Sequence, residues 1–190
     1  KLSDKFQNKI DKLEKDIFKI SKKNFKIGST KQLGEIMYNE LKISTLKKTK
    51  KGSFATSASV LEDLAFKGHL LPKYVLEWRQ LSKLKNTYSD TLPEHINPKT
   101  NRVHTSFLLA ATSTGRLASS DPNLQNIPIK TSDGNDIRKA FVAEKNKSLI
   151  SADYNQIEMR ILSDLADVKE LKKAFKNEED IHSLTASQVF

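Results

Sequence analysis

Cysteine is absent from the 190 residues, which excludes disulfides, thiolate zinc sites and cysteine nucleophiles and leaves oxygen or imidazole donors for any metal. No run approaches the roughly 18 apolar residues of a membrane helix. The N-terminus is basic and has no apolar segment, so it is no secretory signal. A soluble intracellular protein is expected, cytoplasmic if bacterial or organellar if eukaryotic. No internal repeat is found. Acids are scarce at one end: residues 1–52 hold 15 Lys against 6 acids, whereas residues 53–190 hold 18 bases against 17 acids. Almost all of the net charge of +10 therefore sits in the first quarter of the chain. Such a block suits a polyanion, because each lysine that neutralises a phosphate releases counterions whatever the base sequence. A solvated helix surface is the plainer reading.

What is present suffices for a core. Leu, Ile, Val and Phe number 51, well above the ~20% below which disorder is the default, and the length fits one domain or two small subdomains. Over residues 2–20, Phe6, Ile10, Leu13, Ile17 and Ile20 recur in steps of four and three, one stripe of an amphipathic helix. Ser29 and Gln32 have capping-box form ahead of a helix burying Leu33, Ile36, Met37 and Leu41. Residues 42–59 read as a mobile, phosphate-seeking tip with Lys47, Lys48, Lys50 and Lys51. A short helix is expected over 60–66, ending at Gly68, and a longer one beginning at Pro72 with Val75, Leu76, Leu81, Leu84 and Tyr88 inward. Beyond Pro98 the composition suits strands at 103–109, 137–142 and 148–152, the last two forming a hairpin. Between the first and second lies an apparent loop, 112–129. Helices follow after Asp153, where Ile157, Ile161 and Leu165 recur every four residues, over 168–175, and from 178–180 onward.

Asp153 ends an apolar strand and precedes a helix, a usual place for ligand-binding groups in sheets. A carboxylate there suits Mg²⁺, a hard cation that takes oxygen ligands; a helix N-cap is the ordinary alternative. The run Asp153-Tyr154-Asn155-Gln156-Ile157-Glu158-Met159-Arg160 resembles motif A of the family A DNA polymerases. Thr112-Ser113-Thr114-Gly115-Arg116-Leu117 and Asp121-Pro122-Asn123-Leu124-Gln125-Asn126-Ile127-Pro128 are similar to the family's motif ahead of the palm. The segments Ile27-Gly28-Ser29-Thr30-Lys31-Gln32-Leu33 and Leu84-Lys85-Asn86-Thr87-Tyr88 resemble its thumb, and residues 176–186 its segment after motif A. The resemblance covers nearly the whole chain, with the motifs in order.

The resemblance implies an α+β fold: a basic helical thumb over 1–95, part of a palm with a small antiparallel sheet and flanking helices over 96–177, and the start of the fingers helices over 178–190. It implies template-directed addition of deoxynucleotides to a primer 3′ end by two-metal phosphoryl transfer. Asp153 would be the catalytic carboxylate bridging two Mg²⁺ ions, and Tyr154 would add its backbone carbonyl. Glu158 would pack against the sugar of the incoming nucleotide and exclude a 2′-hydroxyl, with Gln156, Ile157 and His182 also at the nucleotide. Arg116 would test base pairing through minor-groove acceptors that all pairs share, and Asn123, Gln125 and Asn126 would line the same groove or hold the loop by turn chemistry. Lys85 and Arg160 would complete the DNA contacts, Arg160 with Gln156 as a hydrogen-bond partner. A primer–template duplex and a deoxynucleoside triphosphate are the expected partners of a monomeric protein with no membrane contact.

The sequence departs from the family's pattern at Asn155, where Ser is common, at Met159, where Leu is common, and at Ala118, where Ser is usual. None of these removes a charge, and all are small or volume-conserving changes. The family's cationic fingers helix and its His-Asp-Glu turn, which bears the second metal-binding aspartate, have no counterpart here. The chain is therefore expected to be a piece of a longer enzyme and inactive alone. Two other readings stay open: a non-catalytic duplex-binding module, and a metal-dependent nuclease using Asp133, Asp136 or Asp164.

Overall fold

A computed structural model describes residues 1–43, 54–129, 131–181, 183 and 186–187. The architecture is α+β, and the chain divides into two compact units, Lys1–Phe141 and Val142–Phe190.

In the first unit, α1 (Leu2–Ser21) buries Phe6, Ile10 and Ile17, the stripe that its spacing demands. Ser29 caps α2 (Thr30–Gly34) by accepting the amide of Gln32 at 3.4 Å. The capping box is only half formed, since the Gln32 side chain turns instead to the Lys26 amide at 2.7 Å. A wide helical turn (Glu35–Glu40) continues from α2. Gly34 is required by packing, because a Cβ there would come within 2.9 Å of the Phe54 side chain. The lysine-bearing tip expected at 42–59 falls largely outside the described residues. α3 (Ala58–Phe66) and α4 (Leu70–Leu84) follow. Helix α4 begins two residues before Pro72, not at it. The first turn's amides have no intrahelical acceptor, so a proline is tolerated there.

Two apolar clusters hold this unit together. One gathers Ile17, Leu33, Met37, Leu61, Leu71 and Val75; the other gathers Phe6, Ile10, Leu81, Leu84, Tyr88 and Ile137. Trp78 packs on both and donates its indole N–H to Glu14 at 2.9 Å.

The expected strand at 103–109 is two short ones. β1 (Ile96–Asn97) pairs antiparallel with β2 (Arg102–Val103), and β3 (Ser106–Leu108) pairs antiparallel with β4 (Ala118–Ser120). β4 lies inside what the sequence suggested was loop. The expected strand at 137–142 is overturned, because Ile137 belongs to α5 (Ser132–Arg138). Thr131 caps that helix through the Gly134 amide at 3.1 Å, Asp133 sits in its first turn, and Ile137 is buried in the second cluster. Capping and burial outweigh the β-propensity of a short apolar run.

Helix α5 is clipped to α1 by ion pairs: Lys9 to Asp133 at 2.6 Å and Lys5 to Asp136 at 2.5 Å, with Lys139 also on Asp136 at 2.9 Å. Lys5, then Lys139, hold the Asp136 carboxyl down to about 2 from an ordinary 3.8. A depressed carboxyl contributes stability above its unfolded pKa and loses it as pH falls through its folded one. The melting midpoint of the 190-residue chain is therefore expected to fall between about pH 4 and pH 2 less steeply in Asp136→Asn than in the native chain. Both members are solvated, so 1 M salt should reduce the difference. Equal slopes in thermal melts across that range would exclude the clip.

In the second unit, α6 (Ile157–Leu165) and α7 (Lys169–Lys176) form a helical pair. The strand expected at 148–152 has no pairing partner among the described residues. An isolated two-stranded hairpin is marginal in water, and Leu149 and Ile150 are 67% and 91% exposed. The apolar stripe Ile157, Ile161 and Leu165 does lie on a helix, yet it is solvent-facing, Leu165 being 81% exposed. No described helix is long and apolar enough to cross a membrane.

Candidate functional site

In the second unit, the apolar segment 148–152 leads into Asp153, which is exposed and has no hydrogen-bond or ion-pair partner among the described residues. Asp153 is not the cap of the following helix: the N-cap of α6 is Gln156, three residues on, and no side chain caps that end. Gln156 takes a left-handed backbone conformation at φ 53°, which costs a non-glycine residue roughly 1–2 kcal/mol. That turn lies between the aspartate and the helix. Glu158 stands exposed in the first turn of α6, where the helix dipole favours a carboxylate.

Arg160 ties these pieces together. Its Nε donates to the Asn155 carbonyl at 2.8 Å, its backbone N–H donates to the Gln156 carbonyl at 3.0 Å, and its guanidinium lies 4.5 Å from the centre of the Phe175 ring on α7. The side chain thus meets the Asn155 backbone, not the Gln156 amide expected from sequence. Ile157 opens α6 and is partly exposed at 37%, and Tyr154 is 80% exposed. His182 falls outside the described residues.

The Asp153 carboxylate and the Tyr154 carbonyl are hard oxygen donors of the kind Mg²⁺ prefers. They fit such an ion in chemistry but supply only part of a ligand set, and no group of three His, Cys, Asp or Glu suited to a metal occurs among the described residues. Of the carboxylates a nuclease reading would use, Asp133 and Asp136 are held by lysines of α1, and Asp164 is paired with Lys172 of α7 at 3.1 Å.

The first unit carries the other candidates. Gly115, at φ 74°, takes a backbone conformation that side chains resist, and it delivers the chain to the exposed Arg116. The Thr112 hydroxyl donates to the Arg116 carbonyl at 2.8 Å. The loop 121–128, which contains a cis Asp121–Pro122 peptide, is fastened to the β3–β4 ribbon. There the buried Ser119 hydroxyl accepts the Leu124 amide at 3.0 Å, and Thr105 lies 2.7 Å from that hydroxyl and 2.8 Å from the Pro122 carbonyl. The Asn123 side chain accepts the Gln125 amide at 3.0 Å, an Asx turn, and the Gln125 amide group donates to the Leu117 carbonyl at 2.9 Å. Asn123, Gln125 and Asn126 are all exposed. Each therefore sits in or beside turn chemistry while facing solvent.

Lys85 is paired with Asp90 at 2.6 Å; Lys85, with Ser3 also donating to Asp90 at 2.6 Å, holds that carboxyl below the usual carboxylate range. Lys47, Lys48, Lys50 and Lys51 lie outside the described residues. Sequence reasoning missed Tyr88, read only as a core position. Its phenol donates to the Asn126 carbonyl, and burial raises its pKa. The signal was available: a buried tyrosine hydroxyl needs a partner.

The family model for DNA polymerase family A matches residues 1–190, the full sequence. The chain belongs to DNA polymerase family A. It is 51% identical over 179 residues to the DNA polymerase I of Rhizobium leguminosarum, covering 94% of this chain and 18% of that protein. It is 45% identical over 190 residues to the thermostable DNA polymerase I of Thermus thermophilus, covering all of this chain and 23% of that one. Among solved structures, the POL domain of Pol1 from M. smegmatis, in complex with DNA primer-template and dNTP, superposes with a TM-score of 0.87 at 38% identity, over 100% of this chain and 33% of that chain. The chain thus spans about a fifth of the length of the curated relatives it matches. Family membership accounts for the order of the motifs along the chain, from Ile27 through Arg116 to Asp153.

Proposed function

We propose that this chain is the thumb (1–95), the first part of the palm (96–177) and the start of the fingers (178–190) of a bacterial DNA-directed DNA polymerase that extends primers in replication or repair. The observation that carries the reading is Asp153: an exposed carboxylate without a partner among the described residues, set between an apolar segment and a helix that carries Glu158 in its first turn.

Asp153 and the Tyr154 carbonyl would hold Mg²⁺ together with donors from elsewhere in the longer protein. When bound, two such ions would lower the pKa of the attacking 3′ hydroxyl and stabilise the charge on the leaving pyrophosphate. Glu158 lies against the sugar of the incoming nucleotide and leaves no room for a 2′-hydroxyl, with Gln156, Ile157 and His182 beside the same nucleotide. Arg160 keeps the Asn155–Gln156 turn in register with α6. Arg116 enters the minor groove at the primer end, where purine N3 and pyrimidine O2 acceptors occupy similar places in every correct pair. Gln125, Asn123 and Asn126 support it there. The lysines of residues 1–52 and Lys85 follow the duplex phosphates without reading sequence.

The partners are a primer–template duplex and a deoxynucleoside triphosphate, the setting is the cytoplasm, and the protein acts as a monomer. The 190 residues alone do not catalyse, because one carboxylate cannot close a two-ion site.

Two linked measurements test this. The isolated chain is expected to add no nucleotide to a primer, and the longer protein is expected to prefer a recessed 3′ end to a blunt duplex in competition binding. Incorporation by a clean preparation of the isolated chain would refute the division of labour. Equal affinity for the two ends, with a steep salt dependence, would favour a general duplex-binding module.

A further inference from the structure

We infer that Tyr88 is a positioning residue for the loop that meets the primer terminus. The inference rests on the reading of Arg116 and Gln125 given above. Tyr88 lies in the wide helical turn Lys85–Asp90 that continues α4, and is 3% exposed among Phe6, Leu81, Leu84 and Ile137. A phenol so placed has few ways to satisfy its O–H, and it donates to the backbone carbonyl of Asn126 across 38 residues of sequence. The next side chain along, Ile127, packs on the same apolar cluster. One polar and one apolar contact therefore fasten the loop to the helical core.

The loop's other attachment is to the β3–β4 ribbon, through the Ser119 and Thr105 hydroxyls. The β3–β4 ribbon has three residues per strand, and a two-stranded ribbon of that length has little stability of its own. From Asn126 the path is short: Gln125 precedes it, the Gln125 amide holds the Leu117 carbonyl at 2.9 Å, and Arg116 precedes Leu117. The buried hydroxyl of Tyr88 thus sets the height of the loop on which Gln125 and Arg116 stand. Without it the side chains remain, but their placement at the minor groove loosens. Such groups discriminate only when held in the right geometry.

The test is steady-state extension by the full-length polymerase of matched and 3′-mismatched primers, comparing native, Tyr88→Phe, Gln125→Ala and the double variant. Phenylalanine keeps the ring and removes only the donor, so the melting midpoint stays close to native. The matched-to-mismatched ratio of kcat/KM is expected to narrow about threefold to tenfold in Tyr88→Phe, the range set by one neutral hydrogen bond. It should narrow no further when Tyr88→Phe is added to Gln125→Ala, since the hydroxyl acts through that side chain. A native ratio in Tyr88→Phe while Gln125→Ala is impaired overturns the role given to Tyr88 alone. Equal narrowing in both backgrounds overturns it as well, since Tyr88 then acts independently of Gln125. A native ratio in Gln125→Ala defeats the reading of the loop itself, and this inference with it.

Discussion

Asp153→Ala in the longer protein is expected to reduce nucleotide incorporation by about a thousandfold or more. The estimate follows from the several kcal/mol of charge stabilisation that a metal site supplies, at about 1.4 kcal/mol per decade of rate. Duplex affinity should stay near native, because the groups read as phosphate contacts are lysines remote in sequence from Asp153, most of them in residues 1–52. The fold should not suffer either. Asp153 is exposed, bonds to no described residue, and caps no helix. Single-turnover extension per bound primer–template, alongside equilibrium binding, separates the two effects. Turnover that survives per bound complex while binding is lost would reverse the assignment.

Glu158→Ala is expected to relax the choice of sugar and leave deoxynucleotide incorporation comparatively intact. Excluding one small group from a pocket accounts for about 10- to 200-fold in discrimination, so the preference for deoxy- over ribonucleotides should fall by a factor in that range. The position supports a steric role: Glu158 is on the first turn of α6, where the backbone fixes the direction of its Cβ and the dipole favours its charge. Competitive incorporation of one nucleotide in its two sugar forms is the measurement. Unchanged discrimination would remove Glu158 from the sugar site.

The sequence made the helical half legible because its signals are local and periodic. Phe6, Ile10 and Ile17 fall inward as their spacing demands, Ser29 caps α2, and Gly68 follows the end of α3. The half with strands was read less well for a physical reason. Ile137 looks like part of an apolar strand, yet a cap at Thr131, seven residues before the helix ends, and burial against Phe6 and Tyr88 make it helical. Neither cause is visible in a short window. Leu149 and Ile150 look like a buried strand and are exposed, because a strand's burial is decided by partners distant in sequence, and none of the described residues supplies one.

At the candidate site, the residue types carrying charge were all identifiable from the motifs, whereas their supports were not. Arg160 on the Asn155 carbonyl, Thr105 on the Pro122 carbonyl and Tyr88 on the Asn126 carbonyl are bonds from side chains to the backbone. They leave no periodic trace in the chain.

Primer extension as proposed requires Asp153 to meet a divalent cation when DNA and nucleotide are bound. Its neighbour Ala152 offers a direct probe. In the longer protein with primer–template and deoxynucleotide, Mn²⁺ is expected to broaden the Ala152 methyl resonance strongly, and Asp153→Asn should abolish most of that broadening. A sharp Ala152 methyl signal in an actively extending complex, or equal broadening in the two proteins, would contradict it.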